Sequence, residues 1–133
     1  MAADDVLVVN GGREMTVDAL LALGASAPEY IQQGVGTTAT DPAQTDLIDK
    51  TDCGEARVQG TDAKVSNYTY RTVGTITKAD ADAIIREVAT FNGAGTGSPP
   101  SGDTMFLRAM FDAISIKIGN SIEYTIDTLI SAT

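Results

Sequence analysis

The chain contains no histidine, no tryptophan and one cysteine, Cys53. Without histidine it lacks the commonest general base and the commonest metal ligand. A single cysteine excludes an internal disulfide and a zinc site built from cysteines. Without tryptophan there is no indole platform for a sugar. Cations are scarce too, 9 Lys and Arg against 18 Asp and Glu. Nucleic-acid binding needs clustered Lys and Arg to neutralise phosphates, so it is disfavoured, and so is an anionic membrane surface. No apolar run approaches the roughly 20 residues that span a bilayer. The opening Met1-Ala2-Ala3-Asp4-Asp5 carries acid where a secretion signal carries Lys or Arg, so no such signal is expected.

What is present fits an ordinary globular mix. The chain has 133 residues, 43% of them hydrophobic and 20% charged. That is enough for one domain with a true core. Net charge is −9, the acids are mostly Asp, and they are scattered singly rather than gathered in a tail. Such a surface resembles that of proteins from extreme halophiles, where molar salt screens self-repulsion. A merely acidic mesophilic domain is the alternative.

Val6-Leu7-Val8-Val9 reads as a short strand or extended anchor, followed by a turn signal at Asn10-Gly11-Gly12. Residues 1–14 are therefore expected to be an arm or short strand ahead of a single domain over 15–133. Thr16 is placed to cap a helix from Val17 to Leu23, ended by Gly24. Tyr30 to Val35 reads as a strand. Asp41, Pro42 and Gln44 make an Asp/Gln capping box, which predicts a helix from Pro42 to Lys50 with Leu47 and Ile48 inward. Ala56 to Gln59 is a possible strand. Lys64 to Lys78 is a long β-favouring stretch, expected either to be buried in part on both faces or to bulge near Gly74. Ala79 to Phe91 is ambiguous: Ile84, Ile85 and Val88 share a helical face, so periodicity favours a helix. Gly93 to Asp103 is a surface loop. Ile114, Ile116 and Ile118 alternate with polar residues, as do Ile122, Tyr124 and Ile126. The Gly119-Asn120 turn between them predicts a hairpin with a strong core face. Together these strands predict a mainly β chain, an antiparallel β-sandwich with one or two short N-terminal helices.

Candidate chemistry is thin. Asp80-Ala81-Asp82 has the spacing that opens a calcium loop, but Phe91 stands where the twelfth-place Glu belongs, so a turn or cap is the better reading. Asp41, Asp46, Asp49 and Asp52 read as surface charge. Cys53 lacks a histidine partner and reads as a buried or half-buried thiol. Gly93-Ala94-Gly95-Thr96-Gly97 lacks the Lys-Ser/Thr ending of a phosphate loop. Tyr68 and Tyr70 are placed on one strand face, as interface anchors or as core.

One resemblance covers residues 30–130 in order. Gly34-Val35-Gly36-Thr37-Thr38-Ala39 with Asp41, Thr45, Asp46 and Leu47 resembles the "GxGTTA…TDL" stretch of small β-rich structural proteins of tailed viruses. Ile85-Arg86-Glu87-Val88-Ala89-Thr90-Phe91-Asn92 resembles that family's "I-x-E-x-G-[IL]-F-N" strand, with Ala89 where glycine is usual. Gly102-Asp103-Thr104-Met105-Phe106-Leu107-Arg108 resembles "G-G-T-M-L-x-R", and Ser121 to Ile126 resembles its closing strand. The resemblance implies a strand, not a helix, at Ile85 to Phe91. It implies a virion component without catalysis or cofactor: a capsid decoration or turret-base subunit, assembling as a homo-oligomer in the host cytoplasm with partners such as the major capsid protein. The acidic balance then points to a haloarchaeal virus. A tail baseplate or fibre-attachment module is the alternative within that family, and a small carbohydrate- or ligand-binding domain is the alternative outside it. The expected interface residues are Val6, Leu7, Val8, Val9, Tyr68 and Tyr70.

Overall fold

The computed structural model describes residues 3–21 and 26–130. The elements follow in the order β1 (Ala3–Val8), α1 (Asn10–Leu20), β2 (Tyr30–Gly34), β3 (Val58–Gln59), β4 (Thr61–Ser66), β5 (Thr69–Thr77), β6 (Ala83–Phe91), β7 (Met105–Ile116) and β8 (Ser121–Leu129). They form two antiparallel sheets, β1-β7-β6-β2-β3 and β4-β5-β8, that pack face to face. The fold is thus a mainly β sandwich with one short helix near its start, the class the alternating segments predict. Ile31, Ile76, Ile85, Phe111, Ile116 and Tyr124 fill the space between the sheets. The Phe111 and Tyr124 rings lie 6.2 Å apart across it.

The chain switches sheets at two places. Gly60 joins β3 to β4 and closes one side of the sandwich; its amide donates to the Glu29 carbonyl at 2.7 Å. At one end, the connections β5–β6 and β7–β8 cross side by side. The Lys78 amide donates to Asn120 O, and the Gly119 amide donates to Lys78 O, both at 2.8 Å. Gly119 takes a φ of 90°, which suits glycine at this corner.

The predicted hairpin is therefore corrected to a corner. β7 pairs with β1 and β6, while β8 pairs with β5. The isoleucines of the two runs meet across the core instead of side by side, and Ile118 is exposed. Lys64 to Lys78 likewise resolves into β4 and β5 around a turn at Asn67-Tyr68. The register shift falls between Lys64 and Ser66, not near Gly74.

The first helix begins earlier than predicted. Asn10-Gly11-Gly12 is its first turn, because the glycines let α1 lie against β7; a Cβ at Gly12 would collide with the Phe106 carbonyl. Thr16 is mid-helix and donates back to Gly12 O at 3.0 Å instead of capping. The predicted end at Leu23 and Gly24 lies outside the described residues.

β6 is a strand, as the resemblance implies, and not the helix that periodicity favours. Its pairing with β7 shifts between Ile85 and Glu87, which lets Ile85 and Val88, three apart, both pack into the main core. Val88 to Phe91 are all buried because a third layer covers the far side of the sheet. There Ala89 and Phe91 pack with Val9, Leu47 and Met105 beneath residues 36–57.

No helix forms over Pro42 to Lys50. Asp41 begins one turn, its Oδ1 accepting the Ala43 amide at 2.8 Å. The Ile48 and Asp49 amides are instead captured by the Glu87 carboxylate. Leu47 points inward as predicted, and Ile48 is exposed.

Candidate functional site

Among the described residues three cations are buried; Arg108 and Arg57 each tie an irregular segment to a strand, and Lys78, just past the end of β5, ties two irregular segments together. Arg108 on β7 donates through Nε and Nη2 to Glu87 Oε2 on β6, at 3.0 and 2.5 Å. Its Nη1 donates to Gln44 Oε1 at 3.2 Å. Both charged side chains are 0% exposed. Glu87 Oε1 accepts the Ile48 and Asp49 amides at 2.9 and 3.3 Å. Arg57 lies 3.5 Å over the Phe91 ring and donates to Gln32 Oε1 at 2.8 Å and to the carbonyls of Gly93 and Gly102 at 3.1 and 2.9 Å. Lys78 donates to Glu55 Oε1 at 2.5 Å and to the Asp52 carbonyl.

Glu55 Oε1 also accepts the Ala79 and Asp80 amides, at 2.9 and 3.1 Å. Burial pushes the Glu55 carboxyl up, but Lys78 and the two amides outweigh it and hold its pKa below the ordinary value of 4.5. A carboxylate depressed in the folded state adds stability that is whole above its unfolded pKa and drains away as pH falls through the folded one. Glu55→Gln should therefore flatten the loss of unfolding free energy below about pH 4.5. Urea titrations between about pH 3 and pH 7 measure this; an unchanged slope contradicts it.

All but Asp52 of the acids singled out in the sequence serve the backbone. Asp80 Oδ2 accepts the Gly54 amide at 3.1 Å, and Asp82 Oδ1 accepts the Ile118 amide at 2.9 Å. Asp46 and Asp49 accept the amides of Leu47 and Thr51. Among the described residues no three of His, Cys, Asp and Glu are grouped to hold a metal. Cys53 is buried, which pushes its thiol up to about 11. In the glycine loop the Gly95 amide donates to Asp103 Oδ2 at 2.8 Å, so it faces a carboxylate where a phosphate loop faces its ligand.

The expected interface residues separate. β1 pairs along its length with β7 of its own chain. Val9 is buried in the outer core, Val8 and Leu7 are half-buried, and Val6 is 52% exposed. Tyr68 sits in the β4–β5 turn and is 66% exposed. Tyr70 lies on β5, half-buried, and its hydroxyl is buried without a partner.

Comparisons with protein-family models, curated proteins and solved structures found no match to this chain. Its surface must therefore be weighed by physical features alone, and two stand out. One end carries an apolar groove of about 550 Å³ between Met15 and Ala19 of α1, Pro28, Tyr70, Phe106 and Ile130. Among the described residues no charged side chain lines it. Leu20 (82% exposed), Leu129 and Ile130 (68%) extend the apolar surface around it. The second is a groove of about 350 Å³ along the side of the sandwich opposite Gly60, between β1 and β8. Sequence patterning did not reveal either; the adjacent pairs Leu20-Leu21 and Leu129-Ile130, which break the local alternation, were the available signal.

Proposed function

We propose that the protein is a non-enzymatic virion component of a tailed virus, a subunit that decorates the capsid surface or builds a turret base as a homo-oligomer. The resemblance over residues 30–130 supports this, and the strand it implies at Ile85 to Phe91 is β6. The observation that carries it is the apolar groove ending at Leu129 and Ile130, whose described lining holds no charged side chain, on a chain of net charge −9. Like charges oppose the association of copies everywhere else, so an uncharged apolar face is where copies or shell subunits can meet. Many equivalent attachment points on a symmetric shell then let weak single contacts suffice.

Sedimentation velocity at about 0.1 M and about 2 M KCl tests the assembly step. Oligomers should strengthen in the higher salt as repulsion is screened. Leu20→Asp combined with Ile130→Asp should reduce them at least tenfold in association constant, with an unchanged circular-dichroism spectrum. A monomer under all conditions would remove the homo-oligomer, and electron microscopy of particles lacking these copies on head or tail would remove the virion role.

A further inference from the structure

The three-stranded sheet has two strands fewer than the five-stranded sheet it packs on. β1 and β8 are both edge strands on this open side. Val6 shows the mismatch: it pairs with Ala109, a core residue, and so faces inward, yet it is 52% exposed. With Leu107, Ala109, Phe111 and Ile126 it lines the groove that runs along β8.

β8 is an unprotected edge. It has nine residues, with no Pro and no Lys, and pairs with β5 without a register shift. The Lys78 amide donates to Asn120 O at one end of this ladder, and the Ile130 amide donates to Tyr68 O at the other. Both bonds fix the same parity. Even-numbered residues of β8 bond to β5, so the N–H and C=O groups of Ser121, Glu123, Thr125, Asp127 and Leu129 face the open side. Natural proteins rarely leave so long an edge unguarded.

We propose that this open side is a strand-acceptor slot. An extended segment of another protein, with apolar side chains at every second position and Lys or Arg between them, pairs with β8 and covers the groove over β1 and β7. Alternate side chains of an added strand point to opposite faces. One set would pack on Val6, Ala109 and Ile126, and the other would stand beside the exposed Glu123 and Asp127. Glu123 makes no ion pair among the described residues, so it is free to meet a cation. Cross-strand pairs of opposite charge stabilise such an arrangement. A second copy of this chain is a poor donor, since it brings nine further negative charges. The slot belongs to the sandwich whether or not the protein sits on a virion, so its failure leaves the reading above intact.

The test uses two synthetic nonapeptides, one alternating Lys and Val and one alternating Lys and Ser, with the full chain. The Lys–Val peptide should bind at least tenfold more tightly and slow amide exchange at Glu123, Thr125 and Asp127. Thr125→Pro removes an outward N–H that β5 does not use, a position where an edge strand tolerates proline. It should weaken the Lys–Val peptide at least tenfold with little change in melting temperature. Should that variant not fold, Val6→Lys, which blocks the groove from an exposed position, should weaken the same peptide similarly. Equal binding of both peptides, binding unaffected by either variant, or no binding overturns the proposal. So does a dimer of the free protein that Thr125→Pro dissociates, because the slot would then hold a second copy.

Discussion

Arg108→Ala should lower the unfolding free energy by about 3–5 kcal/mol, because it leaves the Glu87 carboxylate buried without its cation. For a domain of this size that is a drop in melting temperature of roughly 10 °C or more. The loss falls on three segments at once, since Glu87 also receives the Ile48 and Asp49 amides and Arg108 holds Gln44. Replacing both partners, Arg108→Met with Glu87→Leu, removes the stranded charge and should cost less than the single change. A remainder of about 1–3 kcal/mol in all is expected, because the two loop amides lose their acceptor but lie near enough to the surface to be hydrated. Urea unfolding of the two proteins decides this. A single change costing under about 1 kcal/mol, or a double change costing more than the single, contradicts it.

Phe91→Ala should cost about 3–5 kcal/mol. The ring is fully buried against Val9, Leu47 and Met105, and the Arg57 guanidinium lies over its face. Phe91→Leu keeps most of the volume and removes the aromatic face. Its smaller cost, about 1–3 kcal/mol, isolates the attraction between ring and cation together with imperfect packing. Because Arg57 also holds the carbonyls of Gly93 and Gly102, protease cleavage within residues 93–102 should rise in both variants. Equal and small costs for the two changes would show that the outer layer does not depend on this ring.

The class of fold was legible because one face of β6, β7 and β8 is apolar over the main core. Ile114, Ile116, Ile122, Tyr124 and Ile126 identify that face whichever way their strands are arranged. Side-by-side and face-to-face arrangements need the same alternation and the same Gly119-Asn120 turn, so the corner was not legible. What decides between them is the backbone of Lys78, distant in sequence, which clips the turn between the two sheets. The helix predicted after Asp41 failed for a similar reason. Its local cap signal is real, but a buried carboxylate on β6 outcompetes the helical carbonyls for the amides of Ile48 and Asp49.

The buried charges were the larger omission. A lone Arg inside the apolar run Met105 to Phe111, and Glu87 inside Ile84 to Phe91, were the visible signs. Pattern alone assigns such residues to a solvent face. Only a sheet covered on both sides turns them into partners, and nothing in the periodicity announces the third layer. Of the residues expected at an interface, Val6 and Tyr68 are exposed, while Val9 serves the outer core. Their separation follows from the turn at Asn67-Tyr68 and from α1 closing over the end of β1.

Gly60 staples the two sheets along one side, and the Lys78 clip staples them at one end. The opposite lip, between Val6 and Ile126, has no such fastening, so a molecule that bridged it would join the two layers along the side that the chain itself leaves open.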